Sequence, residues 1–216
     1  MSFVRDVLNE GDLFVDVGAN IGAYSILAAG GGANVIAIEP IPSTYAVLEK
    51  NIALNAFGDC IEALNIGLGA ANGNLRFSGN EDTVNHVLAE NEVCNHSVNV
   101  PVGRLDDILQ GRKPRAIKID VEGFETKVLE GAAKTLVDSN LIAVIMELNG
   151  SGKRYGFDED ALHQKMLEFG FQTYRYEPAS RSYHSMNMQR CFSGNTLYVR
   201  DIEYAMGRLR KPQNID

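Results

Sequence analysis

Four short runs of continuous apolar, β-branched character divide this chain: residues 13–17 (LFVDV), 34–39 (NVIAIE), 115–120 (RAIKID) and 141–147 (LIAVIME). Strands that alternate apolar and polar residues have one wet face. These do not alternate, so they are expected to be buried on both faces. Helical patterns lie between and after them. Residues 21–29 form one, stopped by Gly30-Gly31-Gly32, and residues 42–55 another, with Val47, Leu48 and Ile52 at helical spacing. Residues 125–137 and 158–169 supply two more. Residues 60–66 read as a further strand, and 171–176 with 195–199 as closing strands that could pair as a hairpin. Alternating strands and helices predict an α/β domain: a mostly parallel sheet with helices on both faces and right-handed crossovers. Ligands on such sheets bind beyond the carboxyl ends of the strands, where the strand order reverses. That rule collects residues 16–22, Glu39, Gly67, residues 120–122 and residues 147–149 on one rim.

The rhythm breaks between Gly69 and Val102. Residues 74–77 and 98–102 have strand character, and the polar stretch 78–97 reads as a long loop, of a length often tied to function or mobility. The 216 residues fit one domain, with a core over about 12–200 and terminal extensions at 1–11 and 201–216. A net charge of -8 disfavours a nucleic-acid partner. Arg208-Leu209-Arg210-Lys211 is a local basic run, read as a solvated end. Cys60, Cys94 and Cys191 form no C-x-x-C pair, which suits a reducing compartment. Residues 1–6 (MSFVRD) lack the features of a signal peptide, and no run approaches a membrane span. A cytoplasmic protein is therefore expected, with no membrane partner. Its oligomeric state is open, a homodimer among the options.

The most informative segment is residues 16–22, DVGANIG, which follows a strand and opens a helix. Gly18 and Gly22 let backbone approach a ligand. The spacing departs from the dinucleotide fingerprint G-x-G-x-x-G, because Asn20 stands where the second glycine belongs. Asp16 would repel a pyrophosphate and favour a cation, which points to S-adenosyl-L-methionine rather than NAD. Glu39 lies seventeen positions after Gly22, where an acid accepts hydrogen bonds from ribose hydroxyls.

The second run is residues 117–125, IKIDVEGFE. Lys118, Asp120 and Glu122 share one side of an extended chain, and three buried charges are costly unless paired. Lys118 with Asp120 or Glu122 would be a structural pair. Alternatively Asp120 faces the cofactor or substrate, and Glu122 or Lys118 is a base. Glu125 is also consistent with a first-turn acid at a helix start. Glu147 and Asn149 end the next strand at the same rim. Their spacing with Asp120 and Glu122 matches no metal motif, so no metal centre is expected, although those four would be the oxygen donors for a hard cation. Of the four histidines, His163 reads as a packing or surface residue and His86 as a lesser candidate base. No G-x-S-x-G elbow or P-loop is present.

These segments resemble the FkbM-type family of S-adenosylmethionine-dependent methyltransferases. The carrying stretches are 14–25 (FVDVGANIGAYS), 35–55 (VIAIEPIPSTYAVLEKNIALN), 65–77 (NIGLGAANGNLRF), 117–132 (IKIDVEGFETKVLEGA), 144–149 (VIMELN) and 193–200 (SGNTLYVR). The resemblance implies a Rossmann-like class I methyltransferase fold with an antiparallel last strand. It implies methyl transfer mainly to hydroxyl oxygens of small molecules, natural products or sugars. Carried over by position, Asp16, Gly18, Ala19, Asn20 and Gly22 would line the cofactor's methionyl side. Glu39 and Pro40 would hold the ribose side, and Asp120 and Glu122 would lie near the transfer site. Glu122 is the first choice of general base, followed by Asp120, Glu147 and His86. A non-catalytic domain of the same fold, binding the cofactor or a partner, and an N-methyltransferase are the competing readings.

Overall fold

The computed structural model describes residues 1–79, 85–90, 92–192 and 194–209. Among these described residues, eight α-helices and eleven strands follow in chain order. They are α1 (Ser2–Val7), β1 (Leu13–Val17), α2 (Ala23–Gly30), β2 (Asn34–Ile38), α3 (Pro42–Leu54), β3 (Ile61–Leu64), β4 (Gly67–Leu68), β5 (Gly73–Ser78) and β6 (Ser97–Gly103). Then come α4 (Leu105–Leu109), β7 (Ala116–Ile119), α5 (Glu125–Glu130), α6 (Ala133–Val137), β8 (Ala143–Glu147), a 3-10 turn (Ser151–Tyr155), α7 (Glu159–Glu168), β9 (Gln172–Glu177), β10 (Ser182–Ser185), β11 (Asn195–Val199) and α8 (Ile202–Gly207).

The main sheet has the order β10-β9-β11-β8-β7-β1-β2-β3. Strands β3, β2, β1, β7 and β8 are mutually parallel, and β11 runs antiparallel to β8. The order reverses between β1 and β7, so their carboxyl ends open a crevice. This is the fold of class I methyltransferases, a mostly parallel sheet with an antiparallel final strand. The two faces carry separate cores. Phe14, Val35, Ala116 and Ile145 pack with α1, α2 and α3 on one side. Val15, Ile36, Ile117 and Met146 pack with α4 to α7 on the other. Successive residues along each parallel strand alternate between the two, while paired residues on neighbouring strands share a face, which is why the central strands are apolar nearly throughout. Each fully buried large side chain, such as Phe14 or Tyr198, contributes roughly 2 kcal/mol. No described helix is long and apolar enough to cross a membrane.

Several expectations are corrected. Residues 125–137 are two helices, not one. A Cβ at Gly131 would meet the Gly69 carbonyl oxygen at 2.1 Å, so the chain crosses Gly69 closely there. Asp106 then caps the second piece, accepting from the Lys134 and Thr135 N–H groups and from Thr135 Oγ1. Strands 171–176 and 195–199 are antiparallel neighbours but not a hairpin. β9 makes its hairpin with β10, and β11 inserts between β9 and β8. Residues 60–66 shorten to β3. Chain beyond it forms β4, which joins β5 and β6 in a separate three-stranded sheet with its own core of Phe77, Val87, Val100 and Val102. The first helix was not legible in the sequence. The basic run ending the chain is not wholly solvated. Arg208 bonds the Val7 carbonyl and Asp12, tying the end of α8 to the start of the chain, while Arg210 and Lys211 lie outside the described residues.

Candidate active site

The turn after β1 begins with Gly18 at φ 74°, then Asn20 at 51° and Gly22 at 91°. A Cβ at Gly22 would meet the Leu48 side chain at 2.5 Å, so glycine there lets α3 pack against the turn. Four of the turn's N–H groups are taken up by protein acceptors. Gly18 and Ala19 donate to the Ile38 carbonyl, and Gly22 donates to Ala19. Asn20 donates to Glu39 Oε2 at 2.9 Å. A pyrophosphate cradle needs such groups pointing outward, and these four do not.

Glu39 follows β2 directly and is buried. Its other oxygen accepts from the Ile41 N–H at 3.0 Å. Burial pushes its carboxyl up to about 7, opposed by these two backbone bonds. Asn65 Nδ2 bridges the Glu39 and Pro40 carbonyls at 2.9 Å each and holds this loop in place. The turn and the loop bound a cleft enclosing about 700 Å3, its open mouth included. Gly18, Asn20, Glu39, Pro40, Asp120 and Glu122 line it. Its apolar wall is Val17, Ile38, Ile41, Ile66 and Leu68, and Phe77, Val87 and Phe124 close it from the small sheet and the rim.

Of the residues singled out in the sequence, Asp16, Ala19, Gly22 and Glu147 do not line this cleft. Asp16 lies beneath the turn and accepts from Ser25 Oγ at 2.6 Å, and its burial raises its pKa. Glu147 ends β8 close enough to push the Glu122 carboxyl upward. Lys118 and Asp120 do share a side, and Lys118 Nζ donates to Asp120 Oδ2 at 2.6 Å. Glu122 does not continue that series, because its φ of 53° and that of Gly123 at 100° turn the chain. Burial first, then Asp120 and Glu147, raise the Glu122 pKa, and a hydrogen bond from Asn149 lowers it.

Two buried carboxylates shape the rim without lining the cleft. Glu125 accepts from the Val121 and Gly123 N–H groups, both at 3.2 Å. Glu159 accepts from the Gly150 N–H at 2.8 Å and the Gly152 N–H at 3.1 Å. A Cβ at Gly123 would meet the Ser151 carbonyl carbon at 2.5 Å, so the two stapled loops touch. This contact sets Glu122 beside Asn149.

The loop 78–97 and the region 155–195 are expected from the sequence to shape the acceptor pocket, but the individual residues on the aromatic side of the cleft are not singled out there. Tyr155 stacks edge-on against Phe124 with ring centroids 5.2 Å apart, and its hydroxyl donates to the Val87 carbonyl at 2.6 Å. Phe124 sits inside the IKIDVEGFE motif and was findable there. Val87 and Tyr155 are distant in sequence and carry no local signal. His86 is buried, with Nε2 2.8 Å from Glu92 Oε1, and does not line the cleft. His163 links the Tyr198 hydroxyl to the Met188 carbonyl and is a packing residue. Among the described residues no three His, Cys, Asp or Glu side chains are grouped to hold a metal ion.

Residues 16–173 match the methyltransferase FkbM domain model. The chain belongs to the FkbM methyltransferase family. The matched region runs from Asp16 through β9's start and contains every rim residue described above. The chain is 31% identical over 138 residues to the hexuronic acid methyltransferase AglP of Haloferax volcanii, an alignment covering 62% of this chain and 56% of that protein. It is 32% identical over 152 residues to the methyltransferase sdnD of Sordaria araneosa, covering 54% of this chain and 59% of that one. The chain thus spans somewhat over half the length of these relatives. A solved FkbM methyltransferase from Methylobacillus flagellatus KT superposes with a TM-score of 0.59 at 19% identity, covering 89% of this chain and 44% of that one. An rRNA methylase from Streptococcus thermophilus superposes at 0.51 with 14% identity, covering 91% and 89%. These two likenesses concern the fold.

Proposed function

We propose that this FkbM domain transfers a methyl group from S-adenosyl-L-methionine to a hydroxyl oxygen of a small molecule or sugar. The observation that carries the reading is the buried Glu39 carboxylate on the cleft floor, with one backbone N–H on each oxygen. Each oxygen keeps lone pairs for a further donor, which suits a ribose diol. The turn beside it has spent four of its N–H groups on protein acceptors, which fits a cofactor with no phosphate. Ile41 and Ile66 offer an apolar seat for a purine ring. S-adenosyl-L-methionine, when bound, supplies an electrophilic sulfonium methyl.

The chain's residues have two tasks: to hold donor and acceptor in line, and to accept the hydroxyl proton. Glu122 is the base of choice. It lines the cleft, and its carboxyl is made more basic by burial and by Asp120 and Glu147. Asp120 also lines the cleft but has one oxygen held by Lys118. Glu147 stands behind them. Phe124 lines the cleft with Tyr155 packed against it, an aromatic face of the kind on which a sugar ring packs. A carbohydrate acceptor draws support from the hexuronic acid methyltransferase among the relatives.

Calorimetric titration with S-adenosylhomocysteine, with NAD in parallel, tests the cofactor. Micromolar binding of the first and none of the second supports the reading, and the reverse refutes it. A radiolabelled methyl-transfer assay over a panel of neutral and acidic sugars then tests the acceptor. Transfer only to amines would replace the hydroxyl reading with the N-methyltransferase one.

A further inference from the structure

An open depression begins where the main cleft ends. Asn149 stands beside Glu122 on the rim, and it also lines this depression with Lys153, Phe157, Arg190 and Phe192. The aromatic side of the cleft continues into it. The Phe157 ring centroid lies 6.2 Å from that of Phe124, which lines the cleft, and 5.6 Å from that of Tyr155. A row of rings therefore leads from the cleft to the outer side of the 3-10 turn.

Two groups in this depression lack a full set of partners. Phe192 is 78% exposed, yet it is held in place. Arg190 lies over the ring, 4.9 Å from its centroid. Arg190 is itself fixed by Asp160 at 2.8 Å and by the Leu148 carbonyl at 3.1 Å. A ring covered by a guanidinium on one face and exposed to this degree keeps its other face open. Lys153 is the second group, and its side chain is exposed. The carboxylates around it are taken. Asp158 caps α7, Glu159 accepts from the Gly150 and Gly152 N–H groups, and Asp160 pairs with Arg190. Among the described residues, Lys153 is the one cation lining the depression without an ion pair.

An open ring face beside a free ammonium suits a ligand that is apolar on one face and anionic at its edge. An acidic sugar unit has that form, with C–H groups on its ring face and a carboxylate at its rim. An inorganic anion would use Lys153 and leave the ring idle.

We propose that this depression is a second acceptor subsite, which holds the neighbouring acidic unit of an oligosaccharide whose reacting unit lies in the main cleft beside Glu122. The inference rests on the acceptor reading above and extends it, because the acceptor becomes a chain of at least two units. Phe192 packs on the ring of the second unit and Lys153 takes its carboxylate. Neither residue touches the reacting atoms, so both act on KM and not on kcat.

The test is methyl-transfer kinetics with galacturonic acid and its disaccharide, and with glucose and its disaccharides in parallel. With the wild-type chain, the uronate disaccharide has a KM about tenfold to a hundredfold below that of the monosaccharide, at similar kcat. Phe192→Ala and Lys153→Met each raise the disaccharide KM about tenfold. Both leave kcat, the monosaccharide KM and the affinity for S-adenosylhomocysteine as in wild type. Both side chains are exposed, so neither replacement removes a core contact. Equal KM for the two uronate lengths in the wild type overturns the subsite and leaves the acceptor reading standing. A disaccharide gain that both variants retain also overturns it. Transfer to sugars of neither length overturns the acceptor reading, and the subsite with it.

Discussion

Gly18 and Asp120 are in backbone contact: a Cβ on Gly18 would lie 1.9 Å from the Asp120 carbonyl oxygen. Gly18 also has φ 74°, where a side chain is strained. The first glycine of the turn is thus required by the neighbouring strand β7, and not only by a ligand. The two loops that build the cleft are locked together at this point.

Gly18→Ala is accordingly expected to lower stability by about 2–4 kcal/mol, from left-handed strain and overpacking together. The shifted loop should also abolish measurable binding of S-adenosylhomocysteine. Urea denaturation and calorimetry check both, and wild-type stability in the variant would show that the contact yields easily.

Glu39 should make cofactor binding pH-dependent. Its carboxyl is pushed up to about 7 by burial, and only the ionised form accepts from two hydroxyls without giving up an oxygen. Affinity for S-adenosylhomocysteine should rise between pH 6 and 8. Glu39→Gln should bind about tenfold more weakly, because the amide nitrogen would face a backbone N–H. Its affinity profile should be flatter over the same range.

Glu125 makes a separate prediction about stability. Burial raises its carboxyl from 4.5 to about 7 in the folded chain. A raised pKa means that the folded state holds the proton more tightly, so its contribution is complete below about pH 4.5 and lost as pH rises through about 7. Glu125→Gln keeps a carbonyl acceptor for Val121 and Gly123 but carries no charge. Relative to wild type it should gain stability from pH 5 to pH 8, by at most about 3 kcal/mol. Parallel melting curves at both pH values decide this, and a constant gap would remove Glu125 as the source.

Glu122→Gln should lower kcat by about 10²–10³ while leaving the affinity for S-adenosylhomocysteine within about twofold of wild type. Unchanged turnover would transfer the base role to another rim group, Asp120 being next in line because it also lines the cleft.

Local pattern was sufficient for much of this protein. Residues 13–17, 34–39, 115–120 and 141–147 announced buried parallel strands because strands covered on both faces have no polar side to show. Parallel strands end on one edge, so Gly18, Asn20, Glu39, Asp120 and Glu122 were placed on a common rim without any knowledge of distance. The DVGANIG and IKIDVEGFE segments indicated the family on the same local grounds. Tertiary structure alone decided the rest. Insertion of β11 between β8 and β9 depends on sheet pairing, which no local period encodes. The break between α5 and α6 depends on Gly69 crossing Gly131. Glu122, Glu125 and Glu159 are chemically alike. Only packing made one of them face the cleft and the other two staple its loops. Lys118 and Asp120 were visible as charges in a strand. That they could pair followed from period two; that Asp120 and not Glu122 is the partner was decided by the turn at Glu122, whose φ of 53° takes it out of the series.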